Sequence, residues 1–131
     1  AIGVAIGYTA SSSSSIGVAI GNTANASGGD AIAIGRNSLA AGENVVIGKD
    51  TKVTAQGQMV LIGTQTSVAS GNSKQYSVGI GHGATFTTAS GYNSVAIGKN
   101  STVASINSIA LGLSSSVSGS SSVAIGDSAF V

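Results

Sequence analysis

The stretch SVAIGKNSTVASINSIALGLSSSV, residues 94–117, holds nearly the same phrase twice: Ser94-Val95-Ala96-Ile97-Gly98 and, 14 residues on, Ser108-Ile109-Ala110-Leu111-Gly112. Taking the closing glycine as origin, the phrase recurs at Gly7, Gly21, Gly35, Gly48, Gly63, Gly81, Gly98, Gly112 and Gly126, in steps of 14, 14, 13, 15, 18, 17, 14 and 14. Nine copies run the length of the chain, so the period decides the fold. The residue before each glycine is Ile, or Leu111 once, and the residue three before is always Val or Ile. Between them sits a mostly small residue. The position three after glycine is Ala, Ser or Thr, and the position five after is apolar (Ala26, Ala40, Val53, Val68, Phe86, Val103, Val117, Val131) with Ser12 as the exception.

Alternation of period two suits a strand and not a helix. Short β-branched runs punctuated by Gly, Asn and Ser read as two brief strands per repeat, joined by tight turns. Stacked copies place like positions above one another in parallel ladders. At about 4.8 Å per layer, nine layers make a rod about 40 Å long. From the residue before glycine the next apolar site lies six on, the next six further, and the cycle closes after two (Ile97, Val103, Ile109, Leu111). A triangular hexapeptide helix would need three sixes, so the spacing predicts a flattened, two-sided roll.

Each repeat orders about 14 residues at roughly 1–2 kcal/mol of backbone entropy apiece yet offers few aliphatic side chains, so further burial is required. With the aliphatics filling the interior, the small column Ala5, Ala19, Ala33, Val46, Leu61, Gly79, Ala96, Ala110 and Ala124 is expected to face outward. An apolar outward column calls for a partner, and closed cyclic self-association is the default. The expectation is a homo-oligomer whose interface is Ala5, Ala19, Ala33, Val46, Leu61, Ala96, Ala110 and Ala124.

The composition narrows the function. The 131 residues, enough for one domain, carry five basic and four acidic side chains, a net charge of +1, and no Cys, Pro or Trp. The scattered charge leaves no basic stripe for nucleic acid. Absence of cysteine excludes disulfides and thiolate metal sites. No apolar run is long enough to cross a bilayer as a helix, and the start lacks a cleavable leader; the chain reads as a mature, soluble piece of something longer.

The phrases SVAIGKNSTVAS (94–105), SIALGLSSSVSG (108–119) and SSVAIGDSAF (121–130) resemble the 14-residue head repeat of YadA-like trimeric autotransporter adhesins of Gram-negative bacteria. The resemblance covers the whole chain, 1–131, as one head domain. It implies an all-β, left-handed parallel β-roll with two short strands per repeat, homotrimeric. It further implies a coiled-coil stalk, a C-terminal β-barrel holding the protein at the outer membrane of the bacterial cell surface, and adhesion to collagen, fibronectin or laminin, or to host cells. Neck, stalk and anchor signatures are absent from this sequence. The repeats over about 64–98 depart from the family's unit, carrying GNSKQY (71–76) and TTASGYN (87–93).

Those insertions hold the candidate ligand-binding residues Lys74, Gln75, Tyr76 and Tyr92, because an aromatic and a basic side chain on an exposed loop can anchor a partner; the competing reading is a tolerated bulge. His82, the only histidine, reads as a solvated turn residue and not as a general base, for it has no acidic partner nearby. GGDAI (28–32) occurs once, so Asp30 reads as a turn residue and not a calcium ligand. The serines near 11–15 have no base beside them. Phe86 is expected in the core. The sequence therefore points to a non-enzymatic adhesin head without metal or cofactor, or to a structural spacer of a fibrous surface protein whose ligand site lies elsewhere.

Overall fold

The repeat becomes two parallel sheets in the computed structural model, which describes residues 2–13, 16–54, 56–68, 76–87 and 93–131. One sheet takes a strand from each phrase, nine in all, from Ile2–Ile6 through Val95–Ile97 to Val123–Ile125. The other takes the short strand after each of the first eight glycines, from Ser11–Ser12 to Ser116–Val117. Each strand pairs in parallel with its counterpart one repeat away, and no helix occurs among the described residues. The chain thus winds as an all-β solenoid of about eight turns, the β-roll that the spacing predicts.

Register is kept by like on like: Val95 opposite Ile109, Ala96 opposite Ala110, Ile97 opposite Leu111. It survives the long repeats, where Val60 meets Val78 and Val78 meets Val95. The strands therefore keep one register across repeats of different length.

The anchor glycine ends each long strand with backbone that side chains rarely allow. Gly98 has φ 134°, and a Cβ built on Gly21 would lie 2.6 Å from the Gly35 carbonyl oxygen of the next layer. The glycines stack backbone on backbone, leaving no room for another residue. Two residues on, every layer takes a left-handed residue, mostly polar (Asn37, Asp50, Asn100, Ser114 among them), with φ between 51° at Thr9 and 68° at Gly83. Short polar side chains tolerate this region best.

The alternation is as expected but its sense is reversed. Ala19, Ala33, Val46, Leu61, Ala96 and Ala110 are wholly buried, Ala124 nearly so and Gly79 likewise, inside a single roll; only Ala5, in the terminal layer, is exposed. The small column lines the interior together with the positions three and five after glycine, including Ala24, Ala84, Val53, Val103 and Val117. The aliphatics on either side face out. The reason is volume: the two sheets of a flattened roll leave a narrow interior that small side chains fill and that branched ones on both sides would overfill.

Two of the larger interior residues pack around a glycine. Phe86 and Leu61 are fully buried on the two sides of Gly79, where a Cβ would lie 2.8 Å from Leu61 Cδ2 and 3.1 Å from Phe86 Cε2. The glycine's missing methyl is the space that these side chains occupy.

Most polar interior groups are satisfied by the ladder itself, with Ser12 Oγ, buried and without a partner, as an exception among the described residues. Ser38, Ser101 and Ser115 donate to the carbonyls of Gly35, Gly98 and Gly112 at 2.9–3.1 Å. Thr66 reaches the next layer's Gly81 carbonyl at 2.7 Å, and Thr51 makes the same bond to Gly63. Four before the glycine, serines form a second ladder: the Ser108 amide donates to Ser94 Oγ at 3.3 Å and the Ser122 amide to Ser108 Oγ at 3.4 Å, while Ser94 Oγ donates to the Ser105 carbonyl at 3.0 Å. A buried hydroxyl so bonded carries little of its desolvation cost.

Candidate functional site

The nine-stranded sheet presents two columns of nine aliphatic side chains outward, from Val4 and Ile6 to Val123 and Ile125, with no polar residue in either. In the middle of the rod these side chains are half-buried by their neighbours along the column. Ile109 and Leu111 remain 38% and 39% exposed, and Val123 and Ile125 52% and 66%. A continuous apolar stripe along the whole rod exceeds the scattered apolar residues of ordinary surface. The outward positions of the eight-stranded sheet are mostly polar: Ser11, Asn25, Lys52, Ser67, Thr85, Thr102 and Ser116, with Leu39 among them. One face of the roll is thus dry in character and the other wet.

The turns following the anchor glycines carry most of the charge. Asn37 Nδ2 donates to Asp50 Oδ1 at 2.9 Å across neighbouring layers, and Lys49 Nζ lies 3.7 Å from Asp50 Oδ2. The Asn37 hydrogen bond, helped by the charges of Lys49, Arg36 and Lys52, holds the Asp50 carboxyl below its ordinary range. His82 and Asp30 are both exposed, and no group of three His, Cys, Asp or Glu gathers in metal-binding geometry among the described residues.

Of the four insertion residues, Lys74, Gln75 and Tyr92 lie outside the described residues. Tyr76 is 61% exposed with φ 61°, and its amide donates to the Gln58 carbonyl at 3.1 Å. It borders a cleft of about 210 Å³ that it shares with Glu43, Gln56, Gly57 and Gln58. Gln58 Nε2 donates to Glu43 Oε2 across this cleft at 2.6 Å. Sequence reasoning did not bring these residues together, although the steps of 13 and then 15 between Gly35, Gly48 and Gly63 mark the place.

The sequence model of the YadA head domain repeat, in two copies, matches residues 17–38, 26–46, 89–115 and 104–129, more than half of the chain. The chain belongs to the YadA head family. The match falls mainly on the regular layers, and the internal unmatched residues 47–88 hold the repeats of 15 and 18 residues and the first part of the 17-residue one. No curated protein matches the sequence. YadA heads are adhesin domains and not an enzyme family, so this chain is a segment of an adhesin-type trimeric autotransporter of the bacterial cell surface.

Proposed function

We propose that three copies of this roll assemble with their nine-stranded sheets turned toward a common axis, and that the trimer is an adhesive head. The observation that carries the reading is the pair of outward aliphatic columns, Val and Ile nine layers long, opposite a polar second sheet. Burying these columns supplies the apolar area that a narrow alanine-lined interior lacks, at about 25 cal/mol per Å². The interface passes from Ala96 to its neighbours Val95 and Ile97, and likewise in the other layers. The polar faces and the turns then point outward on three sides, where many weak contacts multiply across chains and molecules. Host matrix proteins such as collagen, fibronectin or laminin, or host cell surfaces, are the partners proposed, with a β-barrel elsewhere in the full protein as the outer-membrane anchor.

Sedimentation equilibrium tests the assembly. The unaltered chain is expected as a trimer, and Val95→Lys with Ile97→Lys as monomers or misfolded chain; a folded monomer at micromolar concentration, or a double variant that still forms trimers, overturns it. Saturable binding of the purified trimer to immobilised collagen, laminin or fibronectin, or to host cells, supports adhesion. The uniformity of the regular layers favours a second reading, a spacer that holds another domain away from the cell, and absence of binding to every such surface decides for it.

A further inference from the structure

We propose that the cleft beside Tyr76 binds a single neutral pyranose ring, the terminal sugar of a glycan. The proposal names a ligand class for the adhesin reading and rests on that reading for its setting at a cell surface.

The concavity comes from the break in period. The 13-residue repeat passes from Ala41 to Glu43 through Gly42 alone, whereas the 15-residue repeat that follows has Ala55, Gln56 and Gly57 between Thr54 and Gln58. The longer turn folds over the shorter one: a Cβ on Gly42 (φ 70°) would lie 2.9 Å from the Gly57 nitrogen and 3.1 Å from Gln56 Cα. Ladder bonds hold the walls, from the Glu43 amide to the Gly57 carbonyl and from the Tyr76 amide to the Gln58 carbonyl, each 3.1 Å. Glu43, Gln58 and Tyr76 therefore occupy one position, five before the glycine, in three successive layers. Gln56 and Gly57 close the cleft.

The chemistry is that of a sugar site. The Gln58 to Glu43 hydrogen bond orients a carboxylate and an amide together and leaves the second carboxylate oxygen and the amide oxygen to accept from ligand hydroxyls. Gln56 adds an amide that both donates and accepts. Planar groups of this kind meet two adjacent hydroxyls at once, and the exposed Tyr76 ring offers a flat apolar face for the C–H bonds of a pyranose. An apolar ligand would find mostly polar walls. The volume, about 210 Å³, suits one ring and not an oligosaccharide.

The test is a glycan array probed with the assembled protein, with neutral host-type glycans in one arm and bacterial polysaccharides in the other. Saturation-transfer NMR titration with methyl pyranosides follows. Binding in either arm is expected and names the source. Tyr76→Ala and Gln56→Ala are each expected to weaken it by about tenfold or more, with trimer mass and denaturation midpoint unchanged because both side chains are exposed. No signal in either arm, a signal that survives both variants, or binding only to lysine-rich peptides that Glu43→Gln removes, overturns the proposal. Matrix-protein binding measured on the same variants separates the two failures: sugar binding absent with matrix binding intact sinks this site alone, and loss of both in the unaltered protein sinks the adhesin reading as well.

Discussion

Between Gly98 and Gly126 the interior is alanine, serine and valine layer after layer, whereas between Gly48 and Gly98 it holds Met59, Leu61 and Phe86 with Gly79 among them. Both stretches keep the same ladder register and the same glycine turn. The difference lies in how interior volume is distributed: evenly in the first, and as large residues against an absent one in the second. Backbone stacking is thus the invariant of the roll, and side-chain packing adjusts to it within a fixed gap. The uniform stretch lies within the part that the family pattern matches, and the adjusted stretch is where the repeats lengthen and a cleft opens.

The largest effect is expected where both stretches are alike. Gly98→Val and Gly48→Val each put a side chain on left-handed backbone and into the next layer's carbonyl, so each is expected to cost more than about 4 kcal/mol, near the limit for single substitutions. Urea denaturation followed by circular dichroism would show the loss, and a wild-type midpoint for either variant would remove the claim of an invariant turn. Next comes Phe86→Ala, expected to cost about 3–5 kcal/mol through the cavity it leaves. Ala96→Leu, in the uniform stretch, is expected to cost about 1–3 kcal/mol by overpacking.

Gly79→Ala sharpens the contrast. Alone it should destabilise, because the added methyl meets Leu61 and Phe86; combined with Phe86→Ala it should cost less, a coupling that a double-mutant cycle measures directly. Additive costs would mean that Gly79 is not shaped by Phe86. The smallest effect concerns Asp50. Its carboxyl is held below the ordinary value of 3.8, chiefly by Asn37, so the contribution to stability is present above that value and fades as the pH falls through the lowered one. Asn37→Ala should flatten this part of the pH–stability curve by lowering the plateau at neutral pH slightly toward the acid limb, which urea midpoints measured across acid to neutral pH would show.

Most of the fold was legible because a period is a count. Glycine spacing, two strands per turn, the inward site five after glycine and the core position of Phe86 all follow from positions in the sequence. The sense of the alternation did not, because period two allows two faces and hydrophobicity alone assigns the bulkier residues to the inside. A volume signal was present. Gly79 stands where Leu61 and Phe86 are large, and Ser94, Ser108 and Asn44 share the small column's parity, which looked polar until the ladder bonds that satisfy them are counted. The cleft was illegible for a different reason: Glu43, Gln58 and Tyr76 belong together only once a short turn and a long one are stacked.

The ladder bonds of the roll join each layer to the next along the length of the rod. Tension applied between its two ends is therefore carried by sets of parallel bonds arranged in series, and a chain of such links parts at its weakest set. A pull along the rod would load every layer equally. Rupture is then expected to begin at the junctions of the 15-, 18- and 17-residue repeats, where the period departs from 14, and to leave the regular blocks on either side wound.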